Sequence, residues 1–181
     1  AGAVLVHNTF VAFGYGPTPV PEHTFARNNL FISRKGPALE YHIEDFLRAP
    51  CTLDLDHNGY NEALAGNGWA GPDAKKNKPA HKAKPLAEFQ KMTGLEKNGL
   101  ALTAAECFKA ALPSEEQIQA VVNDWSGRPH PDLSLKEGSP AIDKGTPLPN
   151  LVEEFQGPAP DLGALEFGAT LPHWGVRPEE H

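Results

Sequence analysis

His7-Asn8-Thr9-Phe10-Val11, Asn28-Asn29-Leu30-Phe31-Ile32 and His57-Asn58-Gly59-Tyr60-Asn61 are three variants of one pattern, in which an Asn stands two positions before an aromatic residue. The shared Asn falls at 8, 29 and 58, giving intervals of 21 and 29 residues. That spacing suits stacked strand-and-turn units and not an ordinary globule. In such a stack an inward-pointing Asn repeats its amide hydrogen bonds with the Asn above and below, so each copy satisfies the buried polar groups of its neighbour. Phe10, Phe31 and Tyr60 are then expected to share one column of rings.

Outward from these copies, short runs of β-formers alternate with Gly and Pro: Val4-Leu5-Val6, Phe10-Val11, Leu30-Phe31-Ile32 and Leu39-Tyr41-Ile43. The first copy opens almost at the first residue, without a capping element, which leads to the expectation that the chain is the C-terminal piece of something longer. From Gly66 to Lys84 the composition shifts to Gly, Ala, Lys, Asn and Pro, as in a surface insertion. Three helix starts follow: Pro85 before Leu86-Ala87-Glu88-Phe89-Gln90-Lys91-Met92 with Gly94 as a stop, and capping boxes at Thr103/Glu106 and Ser114/Gln117, the last helix expected to reach about Trp125. The organisation read from this is one domain in three stretches: coils over 1–65, an insertion with short helices over 66–127, and a terminal coil and tail over 128–181.

The 181 residues carry a net charge of −7, and 40 % of them are hydrophobic, as in a folded chain with a sizeable core. Lys75, Lys76, Lys78, Lys82 and Lys84 cluster without interleaved aromatics, which argues against nucleic acid as a partner. No stretch approaches the roughly 18 apolar residues of a membrane span, so no membrane partner is expected. Cys51 and Cys107 are too few for a disulfide framework and read as buried thiols.

The chain ends with Gly138-Ser139-Pro140-Ala141-Ile142-Asp143-Lys144-Gly145 and Ala159-Pro160-Asp161-Leu162-Gly163-Ala164-Leu165-Glu166. This ending resembles the terminal coils of right-handed parallel β-helix proteins in the pectate-lyase-like superfamily, and Leu171-Pro172-His173-Trp174-Gly175 looks like the close of secreted bacterial members. The resemblance implies an all-β solenoid, a right-handed parallel β-helix with an inserted helical segment. It also implies an extracellular or periplasmic, carbohydrate-active protein that cleaves an acidic polysaccharide by β-elimination or hydrolysis, with this piece mainly structural. No catalytic Lys or Arg of such enzymes matches a position here. The competing class is a noncatalytic solenoid that binds carbohydrate or supports assembly, and an open N-terminal strand edge offers a route to self-association.

Five residues are candidate contacts for an acidic polysaccharide or oligosaccharide. Arg27 and Arg34 bracket one strand, and a guanidinium makes paired, charge-assisted hydrogen bonds to a carboxylate; Lys35 and Arg48 belong to the same basic set. Tyr41, like Trp69, offers an apolar platform for a sugar ring. His7 and His57 occupy equivalent places in their copies, with Asn28 between them, and imidazoles there could bind hydroxyls or transfer protons. Two coils separate them by roughly 10 Å, too far to share one ion.

Calcium is the one cofactor the sequence raises. Asp54, Asp56 and Asn58 place oxygens at alternating positions before Gly59, like the first half of an EF-hand loop, but Ala65 stands where the bidentate Glu is needed. The better-supported reading makes Asn58 a ladder residue and the two Asp side chains the exposed face of a strand. Asp143 and Asp161, near Glu166, are read as carboxylates that cap tight turns.

Overall fold

The computed structural model describes residues 2–12, 23–34, 36–42, 52–61, 64–67, 85–121, 127, 129–151 and 154–170. Its strands are β1 (Gly2–Val6), β2 (Thr9–Ala12), β3 (His23–Arg27), β4 (Leu30–Ser33), β5 (Leu39–His42), β6 (Thr52–Asp56), β7 (Gly59–Tyr60), β8 (Leu64–Asn67) and β9 (Leu100–Ala101). Its helices are α1 (Leu86–Thr93), α2 (Ala104–Cys107) and α3 (Glu115–Ala120). Every strand pairing is parallel, in the orders β1-β3-β6, β2-β4-β7-β9 and β5-β8.

The repeat in the sequence sets the register. Val6 pairs with Arg27 and Arg27 with Asp56, and on the far side of the corner Thr9 pairs with Leu30 and Leu30 with Gly59. The corner residues His7, Asn28 and His57 turn the chain with φ of 50°, 60° and 53°. Asn and His are among the residues that tolerate this left-handed conformation. The ladder is present as expected: Asn8 Nδ2 donates to Asn29 Oδ1 at 3.1 Å, and Asn29 Nδ2 donates to Asn58 Oδ1 at 2.8 Å. So is the aromatic column, with Phe10, Phe31 and Tyr60 stacked at centroid spacings of 5.1 and 5.2 Å. Each such pair adds about 0.5–1.5 kcal/mol beyond area burial.

The expectation of an all-β right-handed parallel β-helix is corrected. Among the described residues the strands form separate small parallel sheets that do not close into a solenoid, and with the helices they make a mixed α/β arrangement. The physical reasons lie where the repeat fails. Among the described residues β6 is the last strand of its sheet, β8 pairs with β5 alone, and β9 extends the second sheet by two residues. Beyond that, Pro129, Pro131, Pro140, Pro147 and Pro149 interrupt the run of N–H groups a further ladder needs.

The second sheet is covered on both sides, which a period-two strand reports directly. All four residues of β4 are buried. Phe31 packs with Leu55, Tyr60 and the α1 residues Leu86 and Phe89, whereas Leu30 and Ile32 pack with Leu102, Phe108, Leu135 and Leu162 from the C-terminal half. α1 ends as expected on Gly94, left-handed at φ 72°, with its N–H bonded to Gln90 O. Both capping boxes are formed. No residue of α3 is buried. Of the insertion expected from Gly66, Gly66 and Asn67 belong to β8, whereas residues 68–84, Trp125 and the tail beyond 170 lie outside the described residues.

Candidate functional site

The corner side chains are built into the protein framework. Asn28, fully buried, accepts from Thr146 N–H at 2.8 Å with Oδ1 and donates to Thr146 O at 2.8 Å with Nδ2. That backbone pair fixes which end of the amide is nitrogen, so the 2.7 Å contact of Nδ2 to His7 Nε2 is a donation to the imidazole. His7 Nε2 is therefore an acceptor and the ring is neutral. Burial lowers its pKa from the ordinary value, against the raising influence of the Gly163 backbone and of Asp161. A lone pair held by Asn28 is not available to bind sugar or take a proton.

Arg27 is likewise engaged. Its Nη1 donates to Ala26 O at 2.9 Å and Asp54 O at 2.8 Å, its Nη2 pairs with Asp54 Oδ1, and the guanidinium carbon lies 4.7 Å from the Phe25 ring centroid. The Arg27 side chain is 14 % exposed and Asp54's is 61 %, so the carboxylate covers the guanidinium. The pair stitches β3 to β6.

Three of the oxygens considered for calcium accept protein hydrogen bonds. Asn58 Oδ1 accepts from both Asn29 N and Nδ2, Asp56 Oδ1 accepts from His57 N and Asn98 N, and Asp56 Oδ2 accepts from Asn98 Nδ2. Burial acts to raise the Asp56 pKa, but the donors on Asn98 and His57 outweigh it and hold the carboxyl below its ordinary value. His57 Nδ1 stands 3.5 Å from Asp56 Oδ2. Among the described residues no group of three or more His, Cys, Asp or Glu side chains is placed to hold a metal ion. Asn58 is a ladder residue.

Turn capping holds for Asp161, whose carboxylate accepts Asp143 N at 2.8 Å and Phe167 N at 2.6 Å, while Glu166 Oε1 accepts Asp161 N at 2.9 Å. Asp143 takes another part: it sits left-handed at φ 56°, and its buried Oδ1 has no hydrogen-bond partner. Cys107 is free and buried, and burial pushes its thiol up to about 11, which leaves it unreactive at neutral pH. Of Tyr41 the backbone is placed, opposite Gly66 in the β5-β8 pair; Lys35, Arg48, Cys51 and Trp69 lie outside the described residues.

Arg34, one of the five predicted ligand contacts, lines a groove. The groove, about 330 Å³, is bordered by Ser33, Arg34 and Asn61 from the sheet corners and by Ala104, Ala105 and Ala110–Leu112 from α2 and the chain after it. Arg34 is exposed, and its Nη2 donates to Leu112 O at 3.0 Å, which orients the guanidinium at the rim. Asn61 is fixed to Ser33 within the lining, accepting from Ser33 N at 2.7 Å and donating to Ser33 O at 2.6 Å. The volume lies at the low end for small-molecule sites, enough for one sugar ring or a similar body. Alanine side chains and the Arg34 guanidinium both contribute to the lining.

Sequence reasoning missed Glu96, Thr146 and the alanine wall. Only the Thr103/Glu106 capping box, which positions Ala104 and Ala105, left a sequence signal. Comparison with known protein families, with curated proteins and with solved structures finds no match to this chain.

Proposed function

We propose that this chain belongs to a carbohydrate-active protein, and that its described part holds an acidic sugar and does not cleave it. The observation that carries this reading is the Arg34 groove, an apolar slot with an oriented guanidinium at its rim. A guanidinium oriented by a backbone carbonyl presents a planar donor array suited to a carboxylate. The use of His7 in the Asn28 contact and of Arg27 in the Asp54 pair supports a scaffolding role for those two. The likeness of the terminal motifs to carbohydrate-active proteins extends the proposal to a whole protein acting on an acidic polysaccharide by elimination or hydrolysis. In that protein this piece is mainly structural, and the bond-breaking residues are carried elsewhere.

Calorimetric titration with a uronate trisaccharide and with its carboxyl-reduced neutral counterpart tests the reading. Binding of the acidic sugar, weakened at least about tenfold by Arg34→Ala with the unfolding midpoint unchanged, is expected. Equal affinity for both sugars, or binding indifferent to Arg34→Ala, would overturn it.

A further inference from the structure

The N-terminal stack and the C-terminal turns are joined through one side-chain amide, and that amide leans on an imidazole. Asn28 Oδ1 accepts Thr146 N–H and Nδ2 donates to Thr146 O, both at 2.8 Å, while the Asn28 carbonyl receives Gly163 N–H at 2.8 Å. The remaining Nδ2 hydrogen goes to His7 Nε2 at 2.7 Å, so the ring proton sits on Nδ1. The seam is close-fitting: a Cβ on Gly145 would lie 3.0 Å from Asn28 Oδ1, and one on Gly163 2.7 Å from Thr9 Oγ1. Each hydrogen of the Asn28 amide is thus assigned.

A proton added at Nε2 has no place in this arrangement. It turns the acceptor into a donor and sets two N–H groups against each other across the 2.7 Å contact. Asn28 cannot answer by turning its amide over, because its oxygen would then face Thr146 O and its NH2 would face Thr146 N–H. One mismatch would become two, with buried groups left unpaired.

We propose that His7 is an acid-operated release for the seam between the ladder corner and the C-terminal turns, closed by the neutral ring and opened by protonation of Nε2. The charged group acting on the ring is Asp161, in the turn that carries Gly163, and its carboxylate is engaged by Asp143 N and Phe167 N. Asp143 and Glu166 are the other carboxyls of these turns. On the side of the stack, Arg27 is paired with Asp54, and His57 lies one copy beyond Asn28, beside Asp56. Burial lowers the His7 pKa from the ordinary value, against the Gly163 backbone and Asp161, which favour the protonated ring. The hydrogen bond donated by Asn28 favours the neutral ring whatever the burial. Because the folded value is depressed, the stabilisation is complete above the ordinary histidine value and is lost as pH falls through it toward the folded one. The release is independent of what the Arg34 groove binds.

Native-state hydrogen exchange at Thr146 and Gly163, whose N–H groups bond to Asn28 Oδ1 and Asn28 O, reads the seam directly. After correction for intrinsic rates, the opening constant at both amides is expected to rise at least about fivefold from roughly pH 7.5 to roughly pH 5, while Asn29 N–H, bonded to Asn58 Oδ1, is unchanged. His7→Asn, which keeps a residue tolerant of the left-handed corner, is expected to abolish this pH dependence. Nitrogen-15 shifts of the His7 ring in the unmodified protein supply a second readout: Nε2 is expected to be unprotonated at neutral pH, and the ring to titrate below the ordinary histidine range. A proton on Nε2 at neutral pH, a ring that titrates in or above the ordinary range, or exchange that is flat with pH would overturn the proposal. So would an acid-induced rise that survives in His7→Asn and therefore belongs to Asp161, Asp143 and Glu166.

Discussion

The ladder and the C-terminal turn region solve the same problem in different ways. Both bury polar side chains beside backbone N–H groups. In the ladder, Asn8, Asn29 and Asn58 repeat one neutral amide contact, and each copy satisfies the next. In the C-terminal region, Asp161 and Glu166 each accept unrelated N–H groups in irregular turns, and two buried oxygens, Asp143 Oδ1 and Glu166 Oε2, have no partner. Burial raises the Glu166 pKa, with the neighbouring Asp161 and Asp143 charges adding to it and N–H donors opposing it. Repetition lets neutral groups satisfy one another at little electrostatic cost, whereas an irregular turn needs the strong acceptor a carboxylate provides.

The largest effect should come from breaking the repeating side. Asn58→Ala removes the acceptor for Asn29 N and Nδ2 and the donor to Ala26 O, Asp56 O and Glu96, leaving several buried groups unpaired. A loss of about 4 kcal/mol in urea unfolding is expected. A loss under about 1 kcal/mol would show that the ladder satisfies itself without its last member.

Cutting the seam between the two regions ranks next. Asn28 holds Thr146 through both side-chain atoms and Gly163 through its carbonyl. Asn28→Ala is expected to cost about 3 kcal/mol and to raise amide exchange at Thr146 while leaving Asn29 protected. Exchange rising equally on both sides would mean that the regions open as one unit.

The irregular side should show the smallest loss. Asp161→Asn keeps one oxygen for either Asp143 N or Phe167 N and turns an NH2 toward the other, so a cost of about 2 kcal/mol confined to residues 143–167 is expected from unfolding and exchange. A loss exceeding that of Asn58→Ala would reverse the comparison and make the carboxylates the stronger frame.

The aromatic column, the ladder and the helix caps were legible because each depends on residues that repeat or stand within four positions of one another. The solenoid expectation extended that regularity over the whole chain. It failed where Gly99 replaces the fourth Asn and where prolines remove ladder donors, after which the C-terminal half packs as loops and short helices on the outer face of β4. The partner of Arg27, Asp54, 27 residues away, was visible only once β3 lay beside β6.

By itself the sequence determined the parallel register of the three copies, since a buried amide at each corner is satisfied only by another at the same height. Only the tertiary structure decided that the ladder ends on Glu96, that Asn28 is tied to Thr146 118 residues away, and that Arg34 faces an alanine wall. The reason is range. Periodic hydrogen-bonding needs are written locally, whereas the meeting of distant segments depends on how the whole chain buries its apolar faces.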